Sequence, residues 1–273
     1  MNAEAGATTT TTLTTTAPRR SLARIYALEA KMECLKLLRL PAFAVPSVAF
    51  PWVFYCLFGL TFGGGRAVGG TTMAAYLLAT YGAFGVIGVS LFGFGVGVAT
   101  ERGQGWMLLK RATPMPPGAY FFAKTALAVA FSTVIVCGLF ALGGFAGGVA
   151  MPTAQWVGLA ATLLAGAVPF CALGLALGYV AGPNSAPAIV NLLYLPASFA
   201  SGLWIPIQAL PGWVQAVAPW LPPYHLGQLA LAVLGVEPQM ALWRHAGALV
   251  ATTALGIALA RFAYLRDRGK TYG

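Results

Sequence analysis

Long stretches without any charged residue constrain the fold of this chain more than any other feature. Residues 67–100 contain no Asp, Glu, Lys or Arg, and the same holds for residues 125–236. Only 8% of the 273 residues are charged, whereas soluble domains carry about 25%. These runs are long enough to cross a bilayer, because a membrane-spanning helix needs about 20 mostly apolar residues.

The apolar runs predict helices rather than a β-barrel. Inside lipid, every backbone N–H and C=O must be hydrogen-bonded within the protein, so helices and closed barrels are the two available architectures. Barrel strands alternate apolar and polar residues over about 10 positions, but the runs here are continuous and much longer. We therefore predict an all-α integral membrane protein with six transmembrane helices, at residues 42–62, 72–99, 125–149, 156–180, 187–208 and 245–264.

The basic residues indicate which side of the membrane each segment faces. Of the 16 Lys and Arg residues, six precede the first predicted span, four lie in or near the segment 101–124, and four end the chain. Arg66 and Arg244 alone fall on the opposite side. The positive-inside rule then places both termini and the segment 101–124 in the cytoplasm. This topology accounts for the net charge of +10, so we expect no nucleic-acid partner.

The N-terminal part of the chain divides into two segments. Residues 1–18 are rich in threonine and are predicted to be a disordered cytoplasmic tail. Residues 19–41 are predicted to form an amphipathic helix at the inner membrane surface, with packing on another protein chain as the alternative. Residues 42–265 then form the transmembrane domain, and residues 266–273 a cytoplasmic tail. The apolar stripe of the amphipathic helix consists of Leu22, Ile25, Leu28, Met32, Leu35 and Leu38.

Prolines and tryptophans interrupt residues 204–240, the longest region between predicted spans. The region is too apolar for a loop in water and too broken for a membrane span. We expect short helices at the outer interface, where aromatic residues are favoured. Broken backbone at membrane depth is tolerated where protein buries it.

The residues needed for an internal energy source are missing from the sequence. A phosphate-binding loop requires the pattern G-x-x-x-x-G-K-[ST]. In the nearest stretch, residues 63–72, Thr71 stands where lysine is required. The six acidic residues are dispersed, and His225 and His245 are each interpreted as an isolated polar residue at the interface. The four cysteines lack metal-ligand spacing and are expected to pack as small apolar residues. We therefore predict no catalytic residues, no metal and no cofactor.

One cytoplasmic segment has the pattern of a docking site. Residues 101–118 read ERGQGWMLLKRATPMPPG, in which a short apolar helix precedes Lys110 and Arg111. The prolines then stop the helix, because proline lacks the backbone N–H and restricts the preceding residue. Large apolar residues exposed on a compact helix favour contact with a partner. The alternative is that Trp106 and its neighbours lie on the lipid surface.

This segment resembles a conserved element of the ABC-2 type transporter permeases, E-R-x-x-G-T-L-E-x-L-x-x-T-P. The departures are at Trp106, Met107, Leu108 and Lys110, and a lysine, Lys124, again stands near the start of the third span. The N-terminal amphipathic helix is similar to the connecting helix of that family, and residues 201–234 to its small helices before the sixth span. The residues that match the motif are Glu101, Arg102, Gly105, Thr113 and Pro114.

The resemblance implies the membrane subunit of an ABC exporter. Two permease copies, identical or paralogous, would form the pathway in the bacterial cytoplasmic (inner) membrane, and separate ATPase subunits would use ATP. A non-transporting membrane scaffold that binds cytoplasmic proteins is the alternative hypothesis. The residues expected to couple to the ATPase are Glu101, Arg102, Gly105, Trp106, Leu108, Arg111, Thr113 and Pro114. Those expected to form an outer gate are Trp204, Pro206, Pro211, Trp213 and Pro222.

Overall fold

The chain folds into helices throughout the part that the structure describes. A computed structural model describes residues 21–38, 41–65, 68–112 and 116–267. Within these ranges there is no β-sheet. The predicted tail at residues 1–18 lies outside them, and so do Thr113 and Pro114.

The first half of the chain contains α-helices of very different lengths, including the central helix, Met73–Leu91. Three of them continue into π-helical turns, at Tyr55–Leu60, Phe92–Val96 and Leu142–Ala146, and a 3-10 turn lies at Val68–Gly70. The helices in this half are α1 (Leu22–Leu38), α2 (Pro41–Phe54), α3 (Met73–Leu91), α4 (Gly97–Gly103), α5 (Trp106–Arg111) and α6 (Pro117–Ala141).

Shorter and more interrupted helices make up most of the second half. Two 3-10 turns, Ile207–Ala209 and Ala218–Trp220, lie between the short helices that precede the last one. The helices are α7 (Thr153–Ala165), α8 (Ala167–Val180), α9 (Ala186–Ala200), α10 (Gly212–Val217), α11 (Pro222–Val233) and α12 (Leu242–Asp267).

Four helical segments among the described residues are long and apolar enough to cross a membrane: Met73–Gly103, Gly118–Ala146, Thr153–Val180 and Leu242–Arg266. They coincide with the second, third, fourth and sixth predicted spans. The third begins earlier than predicted, because the helix starts at Pro117, where proline fits the first helical turn.

The first and fifth predicted spans correspond to shorter apolar helices, Val45–Leu60 and Ala186–Ala200. The fifth stops before the predicted end at residue 208 because the chain turns at Gly202, where φ is +74°. A left-handed residue cannot continue a right-handed helix, so the residues after it leave the helix axis.

Helix α3 lies at the centre of the bundle. Every one of its residues from Ala74 to Leu91 is buried, on all sides of the helix. Tyr194 of α9 reaches across to it and donates a hydrogen bond of 2.7 Å to the carbonyl of Phe84. A hydrophobic helix with no exposed face needs neighbours all around it, and the other helices of the bundle supply them.

Helix α1 packs against α6 and turns Glu33 and Lys36 toward the bundle. The ring centroids of Tyr26 and Phe122 lie 5.4 Å apart across this contact. Leu22 and Met32 remain exposed on the other side of α1, whereas Glu33 is buried. Most of the apolar stripe predicted from the sequence therefore faces away from the protein, whereas Glu33 and Lys36 face into it.

Candidate functional site

Four charged side chains from three helices meet at one end of the bundle, and we call them the ion cluster: Glu33, Lys36, Glu101 and Lys124. Lys124 Nζ lies 2.8 Å from Glu101 Oε1 and also pairs with Glu33. Lys36 Nζ lies 2.9 Å from Glu33 Oε1 and pairs with Glu101. The cluster therefore ties together α1, α4 and α6.

The ion cluster is buried and electrically balanced. Glu33, Glu101 and Lys124 are only 5%, 4% and 3% exposed. Two carboxylates face two ammonium groups, and the hydroxyl of Tyr120 donates a further hydrogen bond of 2.7 Å to Glu101 Oε2. Buried charges persist in proteins only when they are paired and hydrogen-bonded in this way.

Lys36 keeps its positive charge within this cluster. Burial by itself lowers its pKa, but the carboxylates of Glu101 and Glu33 outweigh that effect. The pKa of Lys36 consequently lies above its ordinary value of 10.5. Lys36 is therefore protonated at physiological pH.

Arg102 fixes the same segment on its other side. Its guanidinium donates to the carbonyl of Tyr179 and, at 2.7 Å, to the carbonyl of Ala181. Tyr179 lies in the last turn of α8, and Ala181 follows that helix, so a cation here meets the negative end of the helix dipole. Gly103 adds close packing, since a Cβ at this position would lie 2.6 Å from Pro183 Cγ.

Helix α5 projects from this base. Gly105 makes the turn before it with φ of +75°. Trp106 is 47% exposed and Leu109 is 73% exposed, while Met107 packs inward on the bundle. Lys36 Nζ lies 5.9 Å from the centroid of the Trp106 ring, which is within cation–π range.

The structure brings together part of the predicted coupling set. Glu101, Arg102, Gly105 and Trp106 are adjacent, with the first two buried and Trp106 exposed. Leu108 and Arg111 belong to α5, but their side chains lie outside the described part of the structure. The partners of Glu101 were not predicted from the sequence, although Glu33 and Lys36, which have opposite charges three positions apart on α1, were a usable signal.

Replacing Gly105 with alanine is expected to lower the free energy of unfolding by about 1–2 kcal/mol, the usual cost of the left-handed region for an L-residue. Nothing lies within 4 Å of a Cβ placed here, so the cost is conformational rather than steric. Gly212 is a matched control, because it also has open space but no positive φ. Thermal unfolding of both variants in detergent measures the difference, and equal stability of the two would contradict the backbone argument.

The predicted outer gate residues have different environments. Trp204 joins an aromatic cluster, with ring centroids 5.0 Å from Phe54 and 5.4 Å from Phe84. Pro211 precedes α10 and Pro222 begins α11. Pro206 stands before the turn Ile207–Ala209, and Trp213 is exposed on α10. The prolines therefore set helix starts, and the two tryptophans are not in one site.

The two histidines are partners. His225 of α11 and His245 of α12 are both buried, and their Nδ1 atoms lie 2.9 Å apart. The prediction that each stands alone is wrong, because the turn between α11 and α12 brings residues 20 positions apart into contact.

Comparison with known proteins identifies relatives of this chain. The profile of the ABC-2 type transporter family matches residues 27–234. The chain belongs to the ABC-2 type transporter family. It is also 28% identical over 231 residues to YvfS of Bacillus subtilis (strain 168), a protein named as a transport permease. The matched region covers 84% of this chain and 93% of that protein. The family assignment made from the motif is confirmed, and the chain is a multi-pass membrane protein of the transport permease type.

Proposed function

We propose that this ABC-2 permease is the membrane subunit of an ABC exporter and is driven by a separate ATPase subunit that docks on α5. The geometry of the segment 101–112 carries the proposal. Its base is fixed by Glu101 and Arg102 within the bundle, while Trp106 and Leu109 are presented outward. An exposed aromatic residue on a rigid support is the usual anchor of a protein interface.

Glu101 and Arg102, which precede α5, link it to several helices of the bundle. Glu101 connects the segment to α1 and α6, and Arg102 connects it to the end of α8. A partner that moves α5 therefore moves at least three helices together. The ATPase can shift the permease between states only by as much as it prefers one of them. In this proposal Glu101 and Arg102 position the docking surface, and Trp106 makes the contact.

The proposed topology has six membrane-crossing helices with both termini in the cytoplasm. Helix α2 and its π-helical continuation run from Pro41 to Leu60, and 20 helical residues span about 30 Å, the thickness of a bilayer core. Helix α9 is shorter and serves as the fifth crossing. The exposed Leu22 and Met32 of α1 then contact lipid of the inner leaflet. We place the chain in the bacterial cytoplasmic (inner) membrane.

The translocation pathway requires a second permease copy, identical or paralogous, in this proposal. The short helices within residues 204–240 act as its outer gate in this proposal, because prolines and 3-10 turns divide the region into segments shorter than the membrane-crossing helices. ATP is bound and hydrolysed by the ATPase partner, and this chain needs no cofactor of its own. The non-transporting scaffold is the competing proposal, and it predicts a cytoplasmic partner without ATP-driven movement of a substrate.

The proposal is tested by co-expressing the tagged chain with the ABC ATPase encoded nearest to it in the same genome. We expect the ATPase to co-purify in detergent in a one-to-one ratio with the permease, and its ATP hydrolysis to change severalfold on reconstitution. The control is the same ATPase expressed without the permease. Absence of the ATPase from the purified permease would contradict the proposed function. Recovery of the ATPase with an unchanged hydrolysis rate would favour the scaffold.

A further inference from the structure

The two histidines of the chain face each other in a buried contact that the proposed coupling mechanism does not use. His225 lies on α11, and His245 lies in the first turns of α12. Their Nδ1 atoms are 2.9 Å apart, a hydrogen-bond distance that requires one proton between the two nitrogens. The contact fastens the last short helix of the outer region to the start of the last span.

The hydrogen-bond partners define where the protons are. His225 Nε2 lies 3.0 Å from the carbonyl oxygen of Pro219. A carbonyl can only accept, so this nitrogen carries a proton, and in the neutral ring Nδ1 of His225 is then an acceptor. His245 must therefore donate from its Nδ1. In this arrangement three of the four ring nitrogens of the neutral pair form hydrogen bonds. The remaining nitrogen is Nε2 of His245.

Additional protons act on this pair in two steps. A first one can be taken up at Nε2 of His245 while the hydrogen bond between the rings remains. A second one must go to Nδ1 of His225, which then carries N–H like the nitrogen that faces it. Two N–H groups at this separation repel each other, and two positive charges would share one buried site. The contact must then open.

The groups that surround the pair offer no compensating negative charge. The ring of Tyr224 lies 5.6 Å from His225 and 5.7 Å from His245, and its hydroxyl donates to Gln239 at 3.0 Å. Of the other helices that contact α11 or α12, α3 has Tyr76 and Tyr81, α8 has Cys171 and Tyr179, α9 has Tyr194, and α7 has no titratable residue; none of these side chains is an acid that is ionised at neutral pH. The nearby charged residues, Glu237 and Arg244, are both exposed to the outside.

Burial therefore disfavours a charged ring. It lowers the pKa of His225 below its ordinary value of 6.5, against the smaller opposing effect of the Pro219 carbonyl. A histidine with a lowered pKa in the folded state binds fewer protons than in the unfolded state. Its stabilising contribution is thus complete above pH 6.5 and is lost as the pH falls below that value.

We propose that the His225–His245 pair is a proton-binding site that holds α11 on α12 and releases it when the protein is acidified. The proposal does not depend on the ATPase. If the proposed topology is right, the site lies toward the outer side, and the outer region becomes looser in an acidic exterior. Protons are the ligand, and the movement of α11 away from α12 is the response.

Hydrogen exchange of the purified full chain in detergent tests this. We expect exchange in Pro222–Val233 to rise about tenfold between pH 7.5 and pH 5, relative to α3 in the same sample and after correction for the intrinsic effect of pH. His245→Gln keeps a donor for His225 but removes one titrating ring, so the rise should fall to about threefold or less. Glu237→Gln is the control and should keep the full rise.

A second measurement does not depend on a variant that folds. Because the chain has two histidines, nitrogen NMR of ¹⁵N-histidine-labelled protein reports this pair without interference from other imidazoles. We expect one histidine to titrate well below its ordinary range, together with the change in exchange. Flat exchange in the unmodified chain, an undiminished rise in His245→Gln, or two independent titrations near pH 6.5 would each overturn the proposal.

Discussion

Replacing Glu101 with alanine is expected to lower the free energy of unfolding by about 3–5 kcal/mol, the range found when one partner of a buried ion pair is removed. The carboxylate accepts from Lys36, Lys124 and Tyr120 at once. Without it, two buried or half-buried ammonium groups share Glu33 alone, and the Tyr120 hydroxyl loses its acceptor. Few single side chains in the described structure hold three helices together in this way.

Unfolding in mixed detergent micelles measures this loss. Glu237→Ala is the matched control, because that carboxylate is exposed and surface changes usually stay within about 0.5 kcal/mol. The double variant Glu101→Met with Lys124→Met should recover most of the loss, since it removes one charge of each sign and leaves Glu33 with Lys36. A loss below about 1 kcal/mol in Glu101→Ala would mean that water already screens the ion cluster.

The location of the membrane-spanning helices could be predicted from the sequence because apolar length is a local property. Three of the four long helical segments lie largely within the two long charge-free runs, and the fourth, Leu242–Arg266, contains the shorter charge-free run 245–260. The start of α6 was not predicted correctly, since the predicted third span begins only after Lys124, at residue 125. In the structure α6 begins at Pro117, and Lys124 is buried two turns into it, because Glu33 and Glu101 neutralise its charge.

Adjacent residues in a helix can have unrelated partners, and a motif does not reveal them. Glu101 and Arg102 are neighbours, but side chains at i and i+1 do not share a face. One therefore reaches α1 and α6, and the other reaches the carbonyls at the end of α8. The motif predicted where the segment lies. The contacts depended on long-range folding that periodicity does not encode.

The same limit applies to the histidines and to the fifth helix. Each histidine alone gives no signal of a partner, and the pairing follows from how α11 packs on α12. The end of α9 depends on Gly202 adopting positive φ, which the apolar composition of the flanking residues concealed. Both features belong to the region of short helices, where tertiary contacts rather than local propensity determine the backbone.

Replacing Trp106 with aspartate is expected to weaken ATPase binding by about 2 kcal/mol or more, which is at least thirtyfold in affinity. The side chain is 47% exposed on a helix whose base is buried, so it is available to a partner without unfolding of the permease. An aspartate cannot fill an apolar pocket and carries a charge that must be desolvated on binding.

The stability of this variant separates docking from folding. The Trp106 ring contacts Lys36 at 5.9 Å, and losing an exposed cation–π contact costs only about 0.5–1 kcal/mol. Trp106→Asp should therefore fold like the unmodified chain and lose the ATPase, whereas Glu101→Ala should lose both. Trp220→Asp is the control, because that ring is also exposed but lies in the region 204–240, which the proposed topology places on the outer side.

The stability of Trp106→Asp and its affinity for the ATPase together decide whether α5 is a docking site or a lipid contact. If Trp106 lies on lipid, aspartate should lower the membrane stability of the chain and leave the affinity for the ATPase unchanged. If it meets the ATPase, affinity should fall while stability holds, because the ion cluster beneath it remains intact. Titration of the ATPase onto the detergent-purified permease measures this affinity and so distinguishes the two outcomes. Retention of full affinity by Trp106→Asp would mean that α5 is not part of the coupling mechanism.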